Sequence, residues 1–207
     1  MLSTIVKISA VTNLSDARYC AGMGVEMLGF TLDKTDENYV SPEKYQEIRS
    51  WVAGVQFVGE TQTEDFEEIR EMVETYNPDC LQVTIPEMLP MLVSEFDIPL
   101  LLRLDADRIS PPALSHYVST YGKYVTYLLL ESSLNSPLQE EWQNAISTLT
   151  EATQLLLGFG WENRQQLHQF LEKLPIAGIA LKGSEELRPG YTDYGELMDI
   201  LESLETE

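Results

Sequence analysis

The chain has 207 residues, 43% hydrophobic and 23% charged, a composition that fits one soluble globular domain and excludes a disordered or fibrous protein. Its formal net charge of -21 excludes the cationic face that nucleic acid or an anionic membrane surface demands of a partner. No apolar run is as long as a membrane span, and the opening MLSTIVKISA lacks the basic-then-apolar order of a signal peptide, so a cytoplasmic protein is expected.

In chain order, short apolar runs of strand length alternate with longer segments of helical period. The first strand reads IVKISAV from Ile5 and leads into a helical pattern that contains Cys20. MLGFTL from Met27 follows, and a helix start is marked by Ser41 before Pro42. The third strand is VQFVGE from Val55. Its helix carries the apolar stripe Phe66, Ile69, Met72, Val73 and Tyr76, with Glu64, Asp65, Glu67, Glu68, Glu71 and Glu74 as a solvated face. CLQVTI runs from Cys80 and PLLLRLD from Pro99, the latter followed by a helix start at Ser110 and Pro111. The sixth strand, YVTYLLLE from Tyr124, precedes a start at Ser136 and Pro137 with Gln139 three residues on. QLLLGFG from Gln154 leads to a stripe of Leu167, Phe170, Leu171 and Leu174. GIALKG from Gly178 leads to a capping box of Asp193 and Glu196.

Eight strand-helix pairs, with several strands apolar on both faces, predict an α/β fold: a (β/α)8 TIM barrel forming a single domain over residues 1–207. A doubly wound sheet would place a glycine-rich turn after the first strand, where AVTNLSDA has no glycine. The strand ends carry Glu60, Asp105, Glu131 and Lys182, on the face where barrels build their sites. Lys7 and Arg103 fall within strands, and cations inside a barrel require carboxylate partners such as Glu131 or Asp105. Cys20 and Cys80 have no thiol or histidine at metal spacing and are expected to be small buried hydrophobes.

VKISAVTNLSDARYCAGMGVEMLGF from Val6, followed by YVSPEKYQEI from Tyr39, resembles the opening of the phosphoribosylanthranilate isomerase family. There a VKICGIT strand end, a TNxxDA helix start, an LGF strand end and a YVSP helix start come in this order. Further islands are Leu81 and Gln82 for the family's LQ, Leu128 to Glu131 for LLLD, and Trp142 closing the sixth loop. GFGWEN resembles AGGLxxEN, and PGYTD from Pro189 resembles PGxKD. The resemblance spans the chain and is most specific in its first third.

The family reaction is an Amadori rearrangement within tryptophan biosynthesis. It needs a general acid for the opening furanose oxygen and a base for the C2 proton, supplied in the family by a carboxylate and a cysteine thiolate. The resemblance implies no cofactor and no metal. It places Glu131 as the candidate acid, one methylene longer than the family's aspartate, and Ser9 at the position of the base. A serine hydroxyl is too weak an acid to ionise near neutral pH, and His116 and His168 fall on outer helices, so Ser9 is expected not to act as the base. The glycine after the cysteine is Ala10 here. The arginine before YVSP that holds the anthranilate carboxylate is Asn38, within the acidic segment DKTDEN. QLHG reads QVTI, with Thr84 for the histidine. The glycine-rich sixth loop is SSLNSPLQEEW, which predicts no closing lid, and the aspartate of the eighth strand is Ala180.

Phosphate is expected at Gly160, Lys182, Gly183 and Ser184, through backbone amides and one cation, with Lys7, Asn38, Arg103 and Asp105 as further pocket residues. Phe159 and Trp161, which flank Gly160, are the groups that could fill that hole instead. Three readings stay open at this point. One is a divergent barrel with lost or reduced isomerase activity that binds a small phosphorylated metabolite or another protein. The second is a working isomerase, and the third a different acid/base enzyme using Glu131 with Lys182 or Lys7. A monomer or a homodimer is expected.

Overall fold

A computed structural model describes the chain apart from residues 151–152, 184–185, 189–190, 193–194 and 207, and describes only the backbone at 186–188, 191–192 and 195–196. The strands are β1 (Ile5–Ser9), β2 (Met27–Thr31), β3 (Gln56–Glu60), β4 (Cys80–Val83), β5 (Leu100–Asp105), β6 (Tyr127–Glu131), β7 (Leu155–Leu157) and β8 (Gly178–Lys182). They follow one another in chain order around a closed barrel. The pairs β1–β2, β2–β3, β3–β4, β5–β6, β6–β7 and β7–β8 are parallel, with registers such as Lys7 to Met27, Phe30 to Gly59 and Asp105 to Glu131. This is the expected (β/α)8 fold.

Helices alternate with the strands: α1 (Leu14–Gly22), α2 (Pro42–Trp51), α3 (Phe66–Tyr76), α4 (Leu89–Glu95), α5 (Pro111–Tyr121), α6 (Glu140–Ser147), α7 (Arg164–Lys173) and α8 (Gly195–Ser203). Four starts are fixed by a side chain that takes up an orphan N–H of the first turn: Asn13 at α1, Ser41 at α2, Asp65 at α3 and Asn163 at α7. Ser110 holds the expected position at α5 but makes no side-chain cap bond. The start expected at Ser136 is wrong by three residues, since Gln139 holds the cap position. Ser136 donates to Asp107 and its own N–H donates to Ser132 Oγ, so it belongs to the loop and the helix begins at Glu140. The box expected at Asp193 lies outside the described residues.

Two compact units emerge, residues 1–82 with 181–207 and residues 83–180. In the first, Phe30 stacks on Phe57 and Tyr45 meets both rings edge-on, with centroids 5.2 to 5.6 Å apart, which ties β2 and β3 to α2. Such stacking is what the two-sided apolar character of β2 requires, since all five of its residues are buried. In the second, the leucines of β5, β6 and β7 form a continuous core, Leu101, Leu129 and Leu156 being fully buried. A short antiparallel pair not expected from the sequence, β9 (Glu186–Arg188) and β10 (Tyr191–Thr192), occupies the segment after β8.

The first strand stops two residues earlier than its sequence suggests. Ala10 turns into the left-handed region with φ 55°, which ends the ladder at Ser9. The sixth strand starts three residues late because Gly122–Tyr124 forms a 3-10 turn after α5.

Candidate functional site

In the first unit, Lys7, Ser9 and Glu60 form one cluster at the C-terminal ends of their strands. Lys7 and Ser9 lie two apart on β1, so the pleat points both to the same face. The Lys7 ammonium donates to Ser9 Oγ at 2.6 Å and to Glu60 Oε1 in a buried ion pair. Glu60 reaches it across the intervening strand β2, and Gly29 makes the room. A Cβ at Gly29 would collide with the Glu60 carboxylate and sit 3.0 Å from Lys7 Nζ. The second carboxylate oxygen of Glu60 accepts the Ala10 N–H at 3.1 Å, which holds the left-handed turn after Ser9. The partner of Lys7 is thus Glu60, not Glu131 or Asp105 as expected, because Glu60 is the carboxylate whose path the missing side chain opens.

Cys80 and Gln82 on β4 continue this lining. Cys80 lies two residues before Gln82 on β4 and so shares its face, and burial pushes its thiol up to about 12. Gln82 is the register partner of Glu60 and is 5% exposed, and its Oε1 has no hydrogen-bond partner among the described residues. Asn38, expected in the pocket, is half-buried and donates its N–H to Asp36 Oδ1 at 2.8 Å. Its loop is fastened through Asp33, which accepts from Thr61 Oγ1 and from the Gln62 N–H. A cavity of about 590 Å³ opens between this loop and α3, with Asp33, Asp36, Glu68 and Glu71 in its wall.

The expected phosphate residues of this unit are only partly suited to that task. Lys182 is exposed. The Gly183 N–H is spent on the Ser9 carbonyl at 2.7 Å, so it is not the free amide expected, and a Cβ there would lie 3.1 Å from the Ala10 oxygen. Ser184 lies outside the described residues.

In the second unit, Arg103 Nε donates to Glu131 Oε2 at 2.5 Å, the pairing expected for an arginine within a strand. Gly158 leaves the space that the Glu131 side chain fills, since a Cβ there would be 2.6 Å from Glu131 Cγ. Asp105 turns to its own loop instead, accepting from the N–H groups of Asp107 and Ser133 and pairing with Arg108 at 3.4 Å. Gly160, with φ 101°, is covered by the sixth loop: its carbonyl accepts the Leu138 N–H, and a Cβ would meet Leu138 Cβ at 2.5 Å. Phe159 is buried beside it.

The sixth loop itself is organised by Asp107, a residue the sequence reading did not single out. Its carboxylate accepts from Ser132 Oγ at 2.7 Å, the Leu134 N–H at 2.9 Å, Ser136 Oγ at 3.0 Å and Ser133 Oγ at 3.4 Å. The Leu134 N–H first, then the Ser132 hydroxyl, hold its pKa below the ordinary value. The serines of SSLNS were the available signal, since donors in that number require an acceptor. Glu60 was marked by its place at a strand end, but its pairing with Lys7 had no signal in the sequence, because that partner comes from another strand. Among the described residues no group of three or more His, Cys, Asp or Glu side chains is placed to hold a metal ion.

No family model matches the chain. An N-(5'-phosphoribosyl)anthranilate isomerase of Aquifex aeolicus (strain VF5) is 23% identical over 98% of this chain and 98% of its own length. Among solved structures, the phosphoribosyl anthranilate isomerase of Thermotoga maritima superposes with a TM-score of 0.77 at 20% identity, covering 97% of this chain and 98% of that one. This chain resembles the phosphoribosylanthranilate isomerases from end to end. A further phosphoribosyl anthranilate isomerase, solved in complex with reduced 1-(o-carboxyphenylamino)-1-deoxyribulose 5-phosphate, has a TM-score of 0.73 at 20% identity and covers 97% of this chain and 98% of that chain.

Ala10 holds a φ of 55°, a backbone conformation that a glycine adopts without cost and an alanine does not. Among the described residues no helix is long and apolar enough to cross a membrane.

Proposed function

We propose that this chain is a phosphoribosylanthranilate isomerase-like barrel that has lost the isomerisation, or retains it only weakly, and that holds a small phosphorylated metabolite. The carrying observation is the bond from Lys7 to Ser9. At the position of the family's thiolate base stands a hydroxyl oxygen whose lone pair is taken by an ammonium. Among the described residues no free base adjoins it, since the adjacent Glu60 carboxylate is engaged by Lys7 and by the Ala10 N–H.

Other features support the same reading. One oxygen of Glu131 is bonded to Arg103. The segment that would clamp an aromatic carboxylate has no arginine and sets Asp33, Asp36 and Glu37 against the single cation Lys34, a net negative charge that disfavours that group. The phosphorylated ligand rests on the relative solved with a deoxyribulose 5-phosphate derivative on the same fold, and on the exposed cation Lys182 at the end of β8.

The test is a fluorescence assay with freshly generated phosphoribosylanthranilate on the wild type, Ser9→Cys and Glu131→Ala. The expected result is no measurable turnover by the wild type with the protein folded. Turnover that Glu131→Ala abolishes would establish instead a working isomerase with a relocated base.

A further inference from the structure

An asparagine side chain is converted to a carboxylate when the backbone nitrogen of the next residue attacks it, fastest where that nitrogen is free and the next side chain is small. Along this chain the requirement singles out one bond. Asn77 precedes Pro78, which has no N–H, and Asn144 lies inside α6. Asn13, Asn38 and Asn163 precede the bulkier Leu14, Tyr39 and Arg164. Asn135 is followed by Ser136, is exposed, and stands in the sixth loop outside any helix. Its φ of 52° gives the reason for an asparagine there, since this residue enters the left-handed region more readily than most side chains.

The fold holds the attacking nitrogen. The Ser136 N–H donates to Ser132 Oγ at 2.8 Å, and the buried Ser132 hydroxyl donates in turn to Asp107 Oδ2 at 2.7 Å. An anionic acceptor polarises the hydroxyl and strengthens the bond that the hydroxyl accepts. The Asn135 N–H donates to the Ser132 carbonyl at 3.2 Å and Ser136 Oγ donates to Asp107 Oδ1 at 3.0 Å, so both sides of the peptide are fixed. Attack on Asn135 Cγ requires the Ser136 nitrogen to give up its proton and turn toward the side chain, and the relay must break first.

We infer that the Asn135–Ser136 peptide is a modification site that the Asp107–Ser132–Ser136 relay keeps closed, and that opening the sixth loop commits it to a one-way conversion. In the open loop the Ser136 nitrogen, deprotonated by solvent base, forms a bond to Asn135 Cγ. The Cγ–Nδ2 bond breaks, the proton is returned to the leaving group, and ammonia departs from a five-membered succinimide. Water then opens either carbonyl of that ring and leaves aspartate or isoaspartate, so an amide and a water become a carboxylate and an ammonium ion. The new charge lies between Leu134 and Ser136, both of which donate to Asp107. Isoaspartate also lengthens the backbone by a methylene, and the clamp on Asp107 is not remade.

The experiment incubates the folded wild type, Ser132→Ala and Asp107→Ala at mildly alkaline pH, and the wild type in urea, and follows Asn135 by mass spectrometry of its peptide. Hydrogen exchange of the strand amides shows that each variant is folded. The folded wild type is expected to convert at least about tenfold more slowly than the unfolded chain, and each folded variant about tenfold faster than the folded wild type, the factor one charge-assisted hydrogen bond supports. The wild type supplies a second reading without any substitution. Its folded rate divided by its unfolded rate is expected to match the fraction of time that the Ser136 amide is open to exchange.

Equal rates in the folded and unfolded wild type, folded variants no faster than the wild type, a folded rate unrelated to Ser136 exchange, or an Asn135 that stays intact in urea each overturns the inference. The converted wild type, separated by its added charge on an anion exchanger, is expected to lose exchange protection at the Leu134 amide. Protection retained there overturns the one-way release.

Discussion

Lys7 Nζ donates to Ser9 Oγ across 2.6 Å, from two residues earlier on the same strand. A thiol placed at residue 9 would meet the same ammonium, which stabilises a thiolate. The sulfhydryl introduced by Ser9→Cys is therefore expected to titrate below the free-thiol value of about 8.5. Iodoacetamide alkylation followed against pH measures it. The background is clean, because Cys20 and Cys80 are buried and desolvation pushes both thiols up to about 12. Alkylation with an ordinary thiol midpoint would mean that the ammonium does not reach the residue-9 side chain in solution.

Breaking the Lys7–Glu60 pair from one side leaves a buried charge alone. Lys7→Met is expected to destabilise by on the order of 3–5 kcal/mol, with the double variant Lys7→Met/Glu60→Met recovering most of the loss. Urea unfolding of the single and double variants gives the comparison. Gly29→Ala is expected to behave like the single variant, since its Cβ enters the space of the pair.

Two positions hold left-handed backbone with opposite side-chain fit. Ala10→Gly removes strain of about 1–2 kcal/mol, offset by about 0.5–1 kcal/mol of added unfolded-state entropy, for a net gain of up to about 1.5 kcal/mol. Gly160→Ala is expected to destabilise, because φ is 101° and the methyl meets Leu138. Thermal melts of the two variants should move in opposite directions.

The order of the sixth loop depends on an ionised Asp107. Its folded pKa is depressed, so this contribution is present above the ordinary carboxylate range and is lost as pH falls through the depressed value. Hydrogen exchange at the Leu134 and Ser136 amides, both bonded in this loop, is expected to lose protection on acidification. Asp107→Asn is expected to show the loss already at neutral pH, with the barrel strands still protected. An unaltered loop in that variant would show that backbone geometry alone holds it.

Much of the fold was legible in the chain because the information is local. Alternating strand and helix periods, the apolar stripe of Ile69 and Tyr76, and caps such as Ser41 each depend on residues within a few positions of one another, and each is realised. The misplaced start of α6 shows the limit. Ser136, Pro137 and Gln139 form a good local helix signal, but Asp107, from another strand-helix loop, takes the serine. Long-range acceptors override short-range propensity when several donors converge on one carboxylate.

The sequence by itself determined the barrel, the likeness to an isomerase family, and the residue types at the ends of its strands, Ser9 and Glu60 among them. Only the tertiary structure decided who pairs with whom. Lys7 takes Glu60 across the gap at Gly29, Gly183 gives its amide to Ser9, and Gln82 Oε1 is left without a partner among the described residues. The physical reason is that these contacts join residues on different strands. Their distances are set by strand register and by the volume a neighbouring side chain leaves free, neither of which is a property of the local sequence.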